Sequence, residues 1–262
     1  AGTMKGKTTP VVYAGFYLKS GTGLAGSDFP AVEAQEGYKQ DSVAWDPTDQ
    51  TKTWDADGAY VATAQAQTIA DKVGQGNLAG VDFGVWKGEE INWKKGVKVA
   101  DSVTDTDLKT AIQGYLDDTK TKVTDATTPA RSSDKVGEQK GNLTVTFSDG
   151  STLTINDQTI YVWEHKTENN DENKDDPKPA DAVQVSFEKG TGVKALEPAN
   201  KTMTVKPATA LVDADFPKAT VDTANGYVTP AVWTGNGANE GMTVSKTNKV
   251  FTATANKGKS EE

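Results

Sequence analysis

The sequence predicts a mainly β chain built of several small domains, and three observations carry that prediction. It writes one sentence twice. "LKSGTGLAGSDFPAVEAQEGY" begins at Leu18 and "VKPATALVDADFPKATVDTANGY" at Val205, with Asp28-Phe29-Pro30 and Asp215-Phe216-Pro217 in register 187 residues apart (215 − 28). Such an offset in a chain of 262 residues leaves room for a further domain between the copies. The composition is poor in apolar residues, 35 %, which suits small modules with much surface rather than one large globule. Abundant Thr and Val favour strands, and 25 glycines with recurring Asn and Asp favour turns.

Taken in order, the first copy spans residues 8–66. Val11, Val12 and Tyr13 run almost directly into Phe16-Tyr17-Leu18, so this copy is truncated or altered at its start. "LAGSDFP" and "LVDADFP" each offer a short helical turn, with Ser27 or Asp213 near its start and Pro30 or Pro217 as its stop. Gly37-Tyr38 and Gly226-Tyr227 follow, then Trp45 and Trp233. The alternating strands "AYVATA" and "VFTATA" close the copies. The six matched aromatics, Phe29, Tyr38, Trp45, Phe216, Tyr227 and Trp233, are expected to form the two cores, largely buried.

The middle region, 79–166, reads differently. "VDFGVWKGEEINWKKGVKV" is strand, glycine turn, strand. "TDTDLKTAIQGYLDDTKT" is a helix, with Thr104 and Asp107 as its capping pair and Leu108, Ile112, Tyr115 and Leu116 on one face. "NLTVTFSDGSTLTI" is a hairpin: Val145 and Phe147 alternate before Asp149-Gly150, Leu153 and Ile155 after it. The stretch 167–182 is acidic and ends in Pro-Lys-Pro, so it is expected to stay extended as a semi-stiff linker. The second copy, 183–256, opens with a strand, "VQVSFEKGTG", that the first copy lacks.

"VWKGEEINWKKGV", "GNLTVTFSDGSTLTI" and "IYVWEH" resemble a Rib-type domain of Gram-positive surface proteins in its longer variant. Phe147-Ser148-Asp149-Gly150 stands where that family commonly has Tyr-Pro-Asp-Gly. The outer copies, with their Asp-Phe-Pro, Gly-Tyr and Trp followed by Val-Ala-Thr-Ala in the first and Thr-Ala-Thr-Ala in the second, resemble the Listeria–Bacteroides type repeat of internalin-like proteins. The resemblance implies a central immunoglobulin-like β-sandwich with one inserted helix, flanked by two small β-grasp-like repeats in an extended tandem. These motifs are turns and core aromatics, so they speak for fold and little for ligand.

Net charge is −9, and residues 167–182 hold six acidic and two basic groups of it. No basic stripe exists to track a phosphate backbone, so nucleic acid is not an expected partner. No stretch is apolar enough to span a bilayer, and membrane insertion is not expected. Cysteine is absent, as is common in exported Gram-positive proteins, and the start "AGTMKGK" reads as a cloning remnant on an excised piece of a longer protein.

His165 is the one histidine and abuts the linker, where no third group is assured to orient it as a base. The adjacent carboxylates Glu89-Glu90, Asp117-Asp118 and Asp175-Asp176 diverge on a strand or helix, so none makes a facing acid pair. Asp171, Asn173 and Asp175 mimic the start of a calcium loop, but Asp176 and Ala182 stand where glycine and glutamate are needed. No Lys–Asn–acid spacing singles out an internal isopeptide bond. Trp54, Trp86, Trp93 and Trp163 are expected to pack in cores or between modules, since Trp brings a large apolar area, and they are also the aromatics available if a sugar is stacked. Trp86 and Trp93, flanking Glu89 and Glu90, are the best candidates for an exposed ligand-binding patch. No catalytic residue, metal or cofactor is expected. The expectation is a monomeric, non-catalytic stalk segment of a cell-wall-anchored adhesin on the bacterial surface. Through its parent it would serve binding to a host extracellular-matrix protein or glycan. The alternative is an adhesin module that binds such a ligand itself.

Overall fold

Alternating Val, Thr and aromatic residues broken by glycine turns produce a chain that is mainly β, with several separate sheets. The computed structural model describes residues 2–4, 21–24, 26–46 and 59–259. Two compact units emerge, one of residues 1–75 with 147–153, the other of 76–146 with 154–262. The first-copy expectations for Val11 to Leu18, and the ring of Trp54, lie outside the described residues.

In the first unit β1 (Gly2–Met4) pairs antiparallel with β2 (Val32–Ala34), and β3 (Ala44–Asp46) pairs antiparallel with β4 (Val61–Thr63). The short helix α1 (Ile69–Val73) is started by Thr68, whose hydroxyl accepts the Asp71 N–H while the Asp71 carboxylate accepts the Thr68 N–H. Two further orphan donors are met by the hairpin tip. Asp149 Oδ2 accepts from Ile69 N–H at 2.7 Å and Ser151 Oγ from Ala70 N–H at 3.0 Å.

In the second unit β5 (Leu78–Gly80) pairs with β7 (Val97–Val99). A four-stranded sheet runs β6 (Phe83–Trp86), β10 (Thr152–Trp163), β9 (Gly137–Thr146), β8 (Lys122–Asp125). Helix α2 (Thr106–Asp117) buries Ile112 and Leu116. Its cap is Asp105 rather than the Thr104–Asp107 pair. The backbone is extended at Asp105, and its carboxylate accepts the Leu108 N–H at 2.9 Å. Val145, Phe147, Leu153 and Ile155 are all buried, as the hairpin alternation requires.

The last sheet is ordered β11 (Lys166–Glu168), β14 (Thr202–Val205), β12 (Val183–Lys189), β17 (Val250–Lys257), β16 (Tyr227–Gly235). A smaller pair, β13 (Val193–Glu197) with β15 (Lys218–Val221), sits beside it. Val185, Phe187, Leu196, Val205, Leu211, Val244 and Phe251 form the core. Asn248, fully buried, ties the loop between β16 and β17. It accepts from Gly237 N–H and donates to the Gly241 and Thr243 carbonyls.

The duplication holds at the level of contacts. The 3-10 turns Gly26–Asp28 and Asp213–Asp215 keep the 187-residue offset. Phe29 meets Trp45 at 5.2 Å and Tyr60 at 4.9 Å; Phe216 meets Trp233 at 5.0 Å and Phe251 at 5.7 Å. Trp45 pairs across the sheet with Ala62, and Trp233 with Ala253, the same alanine of the closing strand in each copy. Gly37 and Gly226, before the matched tyrosines, both take positive φ, at 84° and 80°. Yet all six matched aromatics are half-buried, not largely buried as expected. Trp233 and Tyr227, for example, stand on β16, an edge strand of the sheet. Full burial falls instead to residues inside the sheet, such as Phe251 and Val205.

The acidic stretch is also not the extended linker expected. Lys166–Glu168 is the edge strand of the last sheet, pairing with β14 from Lys166↔Val205 to Glu168↔Met203. Pro177–Asp181 then folds back as a strap over β6. The cause lies in β6 itself. Phe83 and Val85 face the domain core with Ile160 and Val162, while Gly84 and Trp86 face the other way and need a cover. At Gly84 an added Cβ would lie 2.5 Å from Pro179 N and 2.6 Å from the Pro177 carbonyl oxygen. Gly84→Ala is therefore expected to lift the strap. Limited proteolysis should then cut within 169–182 far faster than in the parent chain, an outcome that tests whether the strap is seated in solution.

Candidate functional site

The turn after β6 arises from Gly88, at φ 77°, with Glu89 N–H donating to the Trp86 carbonyl at 3.2 Å. It delivers Glu89 and Glu90 beside Trp86 at a groove of about 250 Å³, also lined by Asn92, Lys95 and Asp181 of the strap. So the structure brings together three of the four ligand candidates. Their states differ from the expected patch. The Trp86 ring is 1 % exposed, and its indole N–H donates to Asp181 Oδ1 at 2.8 Å. A ring covered by the strap offers no face for a sugar. Glu89 is ion-paired with Lys206, while Glu90 is exposed.

Trp93 goes elsewhere. It lies on the core side of β6, edge-on to Phe83 with centroids 6.5 Å apart, with the Arg131 guanidinium 4.6 Å over its ring. Trp163 is buried too, its indole N–H donating to the Pro177 carbonyl at 3.0 Å. The reason is the pleat. Trp86 and Trp163 are register partners on the strap face, whereas Trp93 follows β6 on a 3-10 turn (Trp93–Gly96) that returns it to the core.

His165 is exposed, with Nε2 3.2 Å from the Lys87 carbonyl oxygen. Its own carbonyl accepts the Lys206 N–H at 2.8 Å, so it marks the join between β10 and the last sheet. Asp171 pairs with Lys174 at 3.1 Å, and the Asn173 side chain bonds the backbone at Glu168 and Asn170. Among the described residues no group of three or more His, Cys, Asp or Glu side chains is placed to hold a metal ion. No described helix is long and apolar enough to cross a membrane.

The most elaborate polar constellation centres on Arg131, which sequence reasoning missed. It is the single arginine in a chain of lysines, and that was the available signal. Its planar fork suits buried, multidentate pairing as a lysine's ammonium does not. Arg131 Nε donates to Asp125 Oδ1 at 2.9 Å, and Nη1 to Gln158 O at 2.7 Å and Gln158 Oε1 at 2.8 Å. The Arg131 N–H and the Thr127 hydroxyl, both at 2.7 Å, complete the shell of Asp125. Gln158 is fully buried and passes the chain on to the Val81 and Thr159 carbonyls. Among the described residues no buried side-chain nitrogen or oxygen is left without a partner, and this network ties β8, β10 and the loop between β8 and β9 together.

Burial would raise the Asp125 carboxyl, but the Arg131 N–H, the Thr127 hydroxyl and the guanidinium together outweigh it and hold it below the ordinary range. The group's contribution is thus present above its unfolded value of about pH 4 and lost as pH falls through the lower folded value. Urea midpoints should drop as pH is lowered below about 4, and Asp125→Asn should flatten that part of the profile. Identical slopes in the two chains would show that Asp125 is not the group responsible.

No family model matches the chain, and no curated protein matches it.

Proposed function

We propose that this chain is a non-catalytic stalk segment of a cell-wall-anchored surface protein of a Gram-positive bacterium, spacing a binding region from the cell. The observation that carries the reading is the duplicated module, with its aromatic contacts reproduced pair for pair. Its second copy is latched to the middle domain through β11, the strap and the Lys206–Glu89 pair. Modules repeated along a chain and braced against their neighbours build length and hold orientation. The Rib-type and internalin-type resemblances supply the surface setting. The parallel pair β12–β17 inside a mixed sheet supports a β-grasp-like repeat.

The groove at Glu89, Glu90 and Lys95 favours a second reading, a module that itself binds a host protein or glycan. Arrays of extracellular-matrix proteins and glycans decide between the two. The stalk predicts no saturable binding by this chain. Binding that Glu90→Lys abolishes, with the thermal midpoint unchanged, would replace the stalk with the binder.

A further inference from the structure

The course of the chain through the two larger sheets of the second unit points to a mechanical device. In the four-stranded sheet of the middle domain β6 is the first strand along the chain and β10 the last. These strands are neighbours and run parallel, from Phe83↔Ile160 to Trp86↔Trp163. In the last module β12 is the first strand after the strap and β17 the last. They too are parallel neighbours, from Ser186↔Val250 to Lys189↔Ala253.

Tension on the two ends drags β6 backwards along its axis and β10 forwards. In a parallel pair these directions are opposed, so one strand must slide along the other. The ladder bonds run between the strands, and sliding strains all of them together. Were the pair antiparallel, both pulled ends would lie at one end of the ladder, and the bonds would open singly. The same reasoning applies to β12 and β17.

Both ladders are reinforced. Lys87 N–H donates to the Trp163 carbonyl at 2.8 Å, extending the first beyond its last register pair. Ser186 N–H to Lys249 O at 3.0 Å and Gly190 N–H to Ala253 O at 2.8 Å extend the second at both ends. Side chains interlock across each. Trp86 and Trp163 lie under the strap, and Phe187 meets its register partner Phe251 with ring centroids 6.3 Å apart.

We propose that β6–β10 and β12–β17 are shear clamps, through which this chain withstands tension applied along its length. The proposal rests on the stalk reading for the source of the tension, since a spacer between a wall and an attached target is pulled end to end. The clamps themselves follow from strand order alone.

Single-molecule stretching tests this. The chain has no cysteine, so added pairs define the points of attachment. Pulling the full chain through its ends loads both clamps in shear, and the length released identifies the domain that yields. Lys87→Cys with Glu164→Cys grips β6 and β10 at the same end. Lys189→Cys with Thr254→Cys does so for β12 and β17. All four positions are exposed. Each domain is expected to yield at a several-fold lower force when gripped at one end, because forced unfolding follows the barrier met along the pulling direction. Equal forces in the two geometries, at one pulling rate, would overturn the proposal. Thermal midpoints matching the parent show that each paired variant is folded, and either domain alone suffices for the test. High force together with array binding would keep the clamps and remove the stalk. Equal forces without binding would remove the clamps and leave the stalk.

Discussion

Arg131→Ala is expected to cost the second unit about 3–5 kcal/mol, measured as a fall in its urea midpoint at neutral pH. The Arg131 side chain is 3 % exposed and that of its partner Asp125 8 %. Removing the guanidinium leaves a buried carboxylate without its charge partner, holding only the Thr127 hydroxyl and the residue-131 backbone N–H, beside two oxygens of Gln158 that lose their donor. It also uncovers one face of Trp93. The cost comes from stranding these groups more than from the attraction lost. Two companions sharpen the test. Arg131→Lys should recover only part, because one ammonium cannot reproduce a fork aimed at both Asp125 and Gln158. Replacing Arg131 and Asp125 together by apolar residues of similar volume should cost less than Arg131→Ala alone. If Arg131→Ala lowers the unfolding free energy by less than about 1 kcal/mol, the network does not hold the second unit together.

Phe251→Ala should be of comparable size, about 3–5 kcal/mol, and should act on the last module. Phe251 is fully buried on β17, between register partner Phe187 and the Phe216 ring. Its duplicate in the first copy, Tyr60, makes the matching contact with Phe29 but is only half-buried. Tyr60→Ala should therefore cost clearly less, since the penalty follows the volume emptied and the area removed from water. Trp233→Ala, at the half-buried aromatic on the edge strand, should fall between the two. Equal losses at Phe251 and Tyr60 would contradict the burial difference between the copies.

Several features were legible in the chain itself because they are local. Strand alternation, the Asp149-Gly150 hairpin, the 3-10 turns ahead of Pro30 and Pro217, and the glycines before Tyr38 and Tyr227 each depend on a few consecutive residues. The repeat was legible for a related reason. Two stretches carrying the same turn and aromatic pattern meet the same local rules, so their contacts recur. Arg131 was visible as the lone arginine, but its partners Asp125 and Gln158 lie on different strands, and nothing in their spacing announces the meeting.

Tertiary structure decided what distance along the chain conceals. Composition made 167–182 look like a free linker, for charge and proline do favour extension. An extended backbone is also what an edge strand and a strap require. β6 needed a cover, with Gly84 leaving room for a backbone and Trp86 offering an indole N–H. That demand comes from the second face of a strand whose first face is already core, and no single stretch records both. Trp86 and Trp93 looked alike across a short turn, yet the pleat and a 3-10 turn sent them to opposite faces. The sequence by itself determined the β class, the turns and the duplication, since short-range backbone preferences dictate them. Which aromatics are buried, which charges are paired, and which strands run parallel were decided only when distant segments competed for the same faces.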